Sequence, residues 1–179
     1  MRPILFIDRD GTIIQEADGN IETIEKLDFL PEALYYLKKI KEETNYLFVM
    51  VTNQDGLGTE AFPAHEFWPL HNFIIRLLET EGIHFDAVHI DEHFEKDNHP
   101  NRKPGTGMLK EYMEGDYDLP NSFVIGDRAT DVQLARNLGS KSIYLSSSYS
   151  DTETDAELKP KGWKEIYEFL VPSLIVARD

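Results

Sequence analysis

Asp8 and Asp10 stand at the end of an apolar run, Pro3 to Ile7, and Gly11 follows them. A short apolar run closed by a turn residue reads as a buried strand. Side chains alternate along a strand, so strand geometry carried on to Asp10 would aim both carboxylates the same way. They would then sit at the strand's carboxyl end, where open α/β sheets hold ligands. Two close carboxylates repel unless a cation or a proton lies between them, and hard oxygen ligands suit Mg²⁺. Taken alone, Asp-x-Asp fits an acidic turn with solvated charges equally well.

Three more chemistry-bearing groups fall at or just beyond predicted strand ends: Thr52-Asn53-Gln54, Lys103 within Arg102-Lys103-Pro104, and Gly126-Asp127-Arg128-Ala129-Thr130-Asp131. Together they offer carboxylates for a metal, a hydroxyl and amides for anionic oxygens, and a fixed cation. Phosphoryl transfer needs such parts, because its catalysis is mostly positioning and charge neutralisation. Blander readings exist for single members. An acid such as Asp131 in a helix's first turn is favourable without any function, and Arg128 could pair with a surface acid.

The elements that would position these groups alternate between strand and helix, which predicts an α/β, doubly wound, mainly parallel sheet with helices on both faces. Near-continuous apolar runs predict strands at 3–8, 47–52, 86–90, 122–126 and 141–145, as expected for strands covered on both faces. Helices are predicted from Pro31, with Leu34, Leu37 and Ile40 inward and Lys38, Lys39 and Lys41 facing water. Others run from near Pro69 to Glu81 with Gly82 as the stop, from Gly107 to about Glu114, from Asp131 to Leu138 with Thr130 and Gln133 as a capping box, and from Trp163 to Leu170. Long loops follow the second, third and fifth strands, and the last of them, 146–161, reads as a polar connection. The chain is expected to be one domain over 1–179.

Eighteen basic residues against 33 acidic ones give a net charge of −15, which disfavours nucleic acid and anionic membranes as partners. There is no cysteine, so disulfides and thiolate-ligated zinc are excluded. The first residues lack a signal-peptide pattern and no apolar stretch nears the roughly 20 residues of a membrane span. A cytoplasmic protein is the expectation.

Asp8-Arg9-Asp10-Gly11-Thr12, Thr52, Lys103 and Gly126-Asp127-x-x-x-Asp131, in this order, resemble the four motifs of the haloacid dehalogenase-like hydrolases. Within that superfamily, Thr52-Asn53-Gln54-Asp55-Gly56-Leu57-Gly58-Thr59, Phe62-Pro63, Arg102-Lys103-Pro104 and Val124-Ile125-Gly126-Asp127-Arg128 resemble the histidinol-phosphate phosphatases, up to about Gly139. The resemblance implies a phosphomonoesterase that uses Mg²⁺. It makes Asp8 the nucleophile and Asp10 the acid–base, with the metal held by Asp8, the Asp10 carbonyl and Asp127. Thr52, Asn53, Lys103 and Arg102 would meet the phosphate, and Asp131, Gln54 and Arg128 would support them. Such phosphatases are often fused to an imidazoleglycerol-phosphate dehydratase domain, so the resemblance allows either a free-standing chain or one half of a larger product.

Relatives in that group often hold zinc on three cysteines and a histidine. The corresponding positions here are Asp91, His93, His99 and Asn101; the first three could still ligate a metal, but carboxylate and amide are poor replacements for thiolates in a structural site, so zinc is not expected. Only 44 residues separate Asp8 from Thr52, and elements fill the next gap as well, so no cap domain is expected. Substrate choice then falls to the 53–64 and 91–105 loops, with an acidic rim suited to a partly cationic head group. Competing readings are a sugar-phosphate phosphatase of the heptose bisphosphate type, a phospho-accepting receiver domain, and a catalytically silent binding module.

Overall fold

The computed structural model describes residues 1–15, 24–145 and 155–171. Most of the 146–161 connection therefore lies outside the described residues. Five strands pair in parallel: β1 (Ile4–Ile7), β2 (Leu47–Asn53), β3 (Ala87–Asp91), β4 (Phe123–Gly126) and β5 (Lys141–Tyr144). Their order is β3-β2-β1-β4-β5, with Leu5 opposite Phe48 on one side and Phe123 on the other. Each strand lies within one residue of the apolar run that predicts it.

Alternation along the central strands divides the core in two. Leu5, Ile7, Phe48, Met50, Phe123 and Ile125 face one layer. It is made by α1 (Ala33–Glu43), α2 (Ala64–Thr80) and α5 (Trp163–Leu170). Ile4, Phe6, Val49, Val51 and Val124 face the other, made by α3 (Lys110–Glu114) and α4 (Ala129–Leu138). The sheet is therefore wound on both faces, and among the described residues no cap domain covers it. No helix of the described residues is long and apolar enough to cross a membrane.

Several local expectations need correction. Pro31 and Glu32 form a turn, closed by Ala33 N–H donating to the Leu30 carbonyl at 3.1 Å, so α1 starts at Ala33. Its lysines are half-buried rather than solvated. Lys39 lies 4.5 Å from the Tyr167 ring and Lys41 4.5 Å from the Phe48 ring, their stems spread over aromatic surface. Helix α2 begins five residues before Pro69, which sits inside it on the exposed side. The ring there removes one donor to the His65 carbonyl, at a position open to solvent, so the helix survives it. The segment 107–109 is a 3-10 turn, and only 110–114 is α-helical. Helix α4 is capped differently from the expected Thr130–Gln133 box: Asp131 Oδ2 accepts from the Arg128 backbone N–H at 3.1 Å.

The far end of the chain closes on its beginning. Trp163, fully buried, donates its indole N–H to the Thr12 carbonyl at 2.8 Å. Ile4 N–H donates to Ser122 Oγ at 2.9 Å. Ile74, on the inward face of α2, has no exposed surface. Ile74→Ala should lower unfolding free energy by about 2–5 kcal/mol, read by urea denaturation.

Candidate active site

The path from β1 leads to β2 on one side, while β4 lies on the other. Such a reversal leaves a crevice beyond the strands' carboxyl ends. Asp8 N–H donates to the Ile125 carbonyl at 2.9 Å, extending the ladder one residue past β1. Strand geometry does not persist to Asp10, contrary to the sequence expectation. The Arg9 carbonyl accepts from Ile13 N–H at 2.9 Å and Ile14 N–H at 3.1 Å, and this turn, not alternation, sets the direction of Asp10. Gly11 has φ +73°, and a Cβ there would collide with the Asp127 carboxylate. A Cβ on Gly126 would collide likewise with Asp131. Both glycines let acids approach the backbone closely.

Asp8, Asp127, Asp131 and Lys103 are all buried. Lys103 Nζ bridges Asp8 Oδ1 at 2.9 Å and Asp131 Oδ1 at 2.8 Å. Carboxylate oxygens of Asp8, Asp127 and Asp131 lie within 4.8 Å of one another. Burial pushes the Asp8 carboxyl up to about 7, with Asp131 and Asp10 adding to the effect and Lys103 opposing it. Burial works against the Lys103 charge, but Asp131 and Asp8 outweigh it and raise the ammonium above its ordinary range. Three carboxylates facing one ammonium leave up to two surplus negative charges in a buried cluster. An all-oxygen set with that excess fits a hard divalent cation such as Mg²⁺.

Asp10 belongs to a separate network. Its two oxygens accept from Arg9 Nε at 3.2 and 3.3 Å and from Arg9 Nη2 at 3.0 and 3.1 Å. Gln54 Nε2 donates to Asp10 Oδ2 at 2.6 Å and to Thr52 Oγ1 at 2.8 Å. Thr52 Oγ1 stands 3.4 Å from Asp10 Oδ2. Asn53 clamps the lysine loop: Lys103 N–H donates to Asn53 Oδ1 at 3.0 Å, and Asn53 Nδ2 donates to the Lys103 carbonyl at 3.3 Å. Three members of this network carry no role in the sequence reading. Arg9 is only 5% exposed, its guanidinium 5.1 Å above the Phe67 ring. Its Nη1 meets His71 Nδ1 at 3.1 Å. An arginine between two acids, and a histidine four residues after an inward phenylalanine on one helix, were the available signals.

Asp8, Asp10, Asn53, Gln54, Lys103, Arg102 and Arg128 share an open cavity of about 720 Å³. Asp55 and Glu95 add acidic groups to its wall, and Asp55 pairs with Arg102 at 2.8 Å. Asp91, His93 and His99 gather beside the loop. His93 Nδ1 lies 2.8 Å from Asp91 Oδ1, and the Asp91 Oδ2 accepts from His93 N–H at 3.1 Å. The two imidazoles stack at 3.5 Å, and His99 Nδ1 accepts from Asn101 N–H at 3.3 Å. Hydrogen bonds thus tie this loop.

The doubly wound parallel sheet with a carboxylate–lysine cluster at its switch point fits the resemblance carried by the sequence motifs, and the comparisons point the same way. A family model described as HAD-hydrolase-like matches residues 100–168. The chain is 50% identical over 186 residues to the histidine biosynthesis bifunctional protein HisB of Spirosoma linguale, covering 95% of this chain and 49% of that protein. With HisB of Bacteroides fragilis it shares 46% over 177 residues, covering 94% and 47%. The chain therefore spans about half the length of these relatives. Its fold matches the crystal structure of D,D-heptose 1,7-bisphosphate phosphatase from B. bronchiseptica, complexed with magnesium and phosphate, at a TM-score of 0.80 and 23% identity, covering 96% and 98% of the two chains. In fold, and over residues 100–168 in sequence, the chain is similar to the haloacid dehalogenase-like hydrolases.

Two outcomes follow from this geometry. Asp8→Asn removes one excess buried charge and leaves Lys103 paired with Asp131. In magnesium-free buffer at pH 7.5 it should melt above the wild type, and added Mg²⁺ should raise the wild-type midpoint and narrow the gap. Elemental analysis of the purified protein should find no stoichiometric zinc; one zinc per chain would assign it to Asp91, His93 and His99.

Proposed function

We propose that this chain is an Mg²⁺-dependent phosphatase that hydrolyses L-histidinol phosphate to L-histidinol and phosphate, as a cytoplasmic step of histidine biosynthesis. The observation that carries the reading is the buried cluster of Asp8, Lys103, Asp127 and Asp131 at the end of the central strand. The naming of the relatives points it to histidine biosynthesis. Because those relatives are about twice as long and bifunctional, this chain is proposed as the phosphatase half. An imidazoleglycerol-phosphate dehydratase would be the other.

An Asp8 oxygen attacks phosphorus as the bond from phosphorus to the alcohol oxygen breaks, leaving an aspartyl-phosphate. Asp10 gives its proton to the departing alkoxide, then takes one from the water that attacks the phosphorus and frees Asp8. Lys103 and Thr52 hold the phosphoryl oxygens, with Arg102 and Arg128 on the cavity wall as further phosphate contacts. Asn53 fixes the lysine loop, and Gln54 holds Asp10. Asp8, the Asp10 carbonyl and Asp127, with Asp131 in support, would hold Mg²⁺, which would supply the charge neutralisation that an anionic nucleophile and a phosphate need. The acidic groups Asp55 and Glu95 favour a substrate head carrying an amine.

A sugar-phosphate phosphatase is the second reading, favoured by the heptose bisphosphate phosphatase fold match. Phosphate release with Mg²⁺ should give a higher kcat/KM on histidinol phosphate than on heptose bisphosphate; the reverse order would favour the second reading. Asp8→Asn should retain its fold by circular dichroism and lose turnover by about 10⁴-fold or more.

A further inference from the structure

His71 lies 3% exposed on the inward face of α2, among Phe67, Leu70 and Ile74, where an apolar side chain would pack without cost. A buried polar ring must find a partner, and its partner is Arg9 Nη1 at 3.1 Å. Arginine only donates, so His71 Nδ1 accepts and its proton sits on Nε2. Burial first, then the Arg9 charge, lower the imidazole to about 4, against a smaller opposing pull from Asp10. The ring is neutral wherever the protein would work.

The guanidinium is thus held on three sides. His71 takes Nη1, the Phe67 ring lies under it at 5.1 Å, and Nε and Nη2 grip both oxygens of Asp10. His71 stacks on the same Phe67 ring at 5.2 Å and 15°. Asp10 itself sits on a turn with no strand to fix it. From this geometry we infer that His71 is a positioning residue for Asp10, acting through Arg9. The inference rests on the reading of Asp10 as the acid–base group. Without the Nδ1 acceptor a buried Arg9 donor would go unpaired. The fork would then turn to recover a partner, taking the carboxylate with it. Misplacement of a reacting group by about 1 Å costs on the order of 10²-fold.

The test compares His71→Phe, which keeps an aromatic ring on Phe67 but has no acceptor, with His71→Asn, which offers a carbonyl oxygen near Nδ1. Steady-state phosphate release from histidinol phosphate and from 4-nitrophenyl phosphate is measured for both, with melting curves. His71→Phe should lower kcat by about 10–100-fold with KM little changed, and His71→Asn should recover most of the loss. An active wild type beside an equally active His71→Phe, or a loss shared by His71→Asn, would overturn the role. A wild type without turnover on either substrate would remove the functional reading and this role with it. Nitrogen-15 spectra of the wild-type imidazole need no variant to fold: a proton on Nε2 supports the assignment, and one on Nδ1 overturns it.

Discussion

Burying three carboxylates around one lysine ammonium is unfavourable unless the surplus negative charge is compensated, and the rest of this structure is arranged to hold that surplus in place. The sheet supplies rigidity: Asp8 and Asp127 follow adjacent parallel strands whose ladder fixes their spacing. Glycines at 11 and 126 remove the Cβ atoms that would hold the acids away. Lys103 comes from a distant loop, yet Asn53 ties its backbone to the end of β2 with a bond in each direction. Removing Lys103 from such a cluster would leave three buried acids uncompensated, whereas removing one acid relieves part of the surplus.

Asp8 and Asp10 are two residues apart, yet the fold gives them unlike surroundings. Asp8, itself buried, faces a lysine and two acids. Asp10, partly exposed, is surrounded by amide and hydroxyl donors and by the charged Arg9 guanidinium. Paired carboxylates take different chemical roles when their environments differ in this way. The division is made by the turn at 9–14, which swings the second acid away from the line of the first.

Sheet and site differed in how readable they were. Strands covered on both faces are continuous apolar runs, and the five runs marked the five strands within a residue. Asp8, Asp127 and Lys103 were legible because ordered motifs carry them. The start of α2 was not, because Pro69 reads as a first-turn residue while the structure holds it on an exposed stretch of helix, where a lost backbone bond costs little. Arg9 and His71 were hidden for a different reason. Charged and polar residues are expected outside, and only the packing of α2 over the turn shows that both are inside. Asn53 lines the cavity, as the expected phosphate contact requires, and its side chain also bonds the backbone of Lys103, a partner 50 residues away that no local pattern reveals.

The indole bond from Trp163 to Thr12 spans 151 residues of chain. Within this segment β1 precedes its partners: β2 arrives early, but β4 and then Trp163 must be translated before the strand has both neighbours and its turn is braced. Until then the growing segment carries an unsealed apolar strand, a species open to chaperone capture and to self-association.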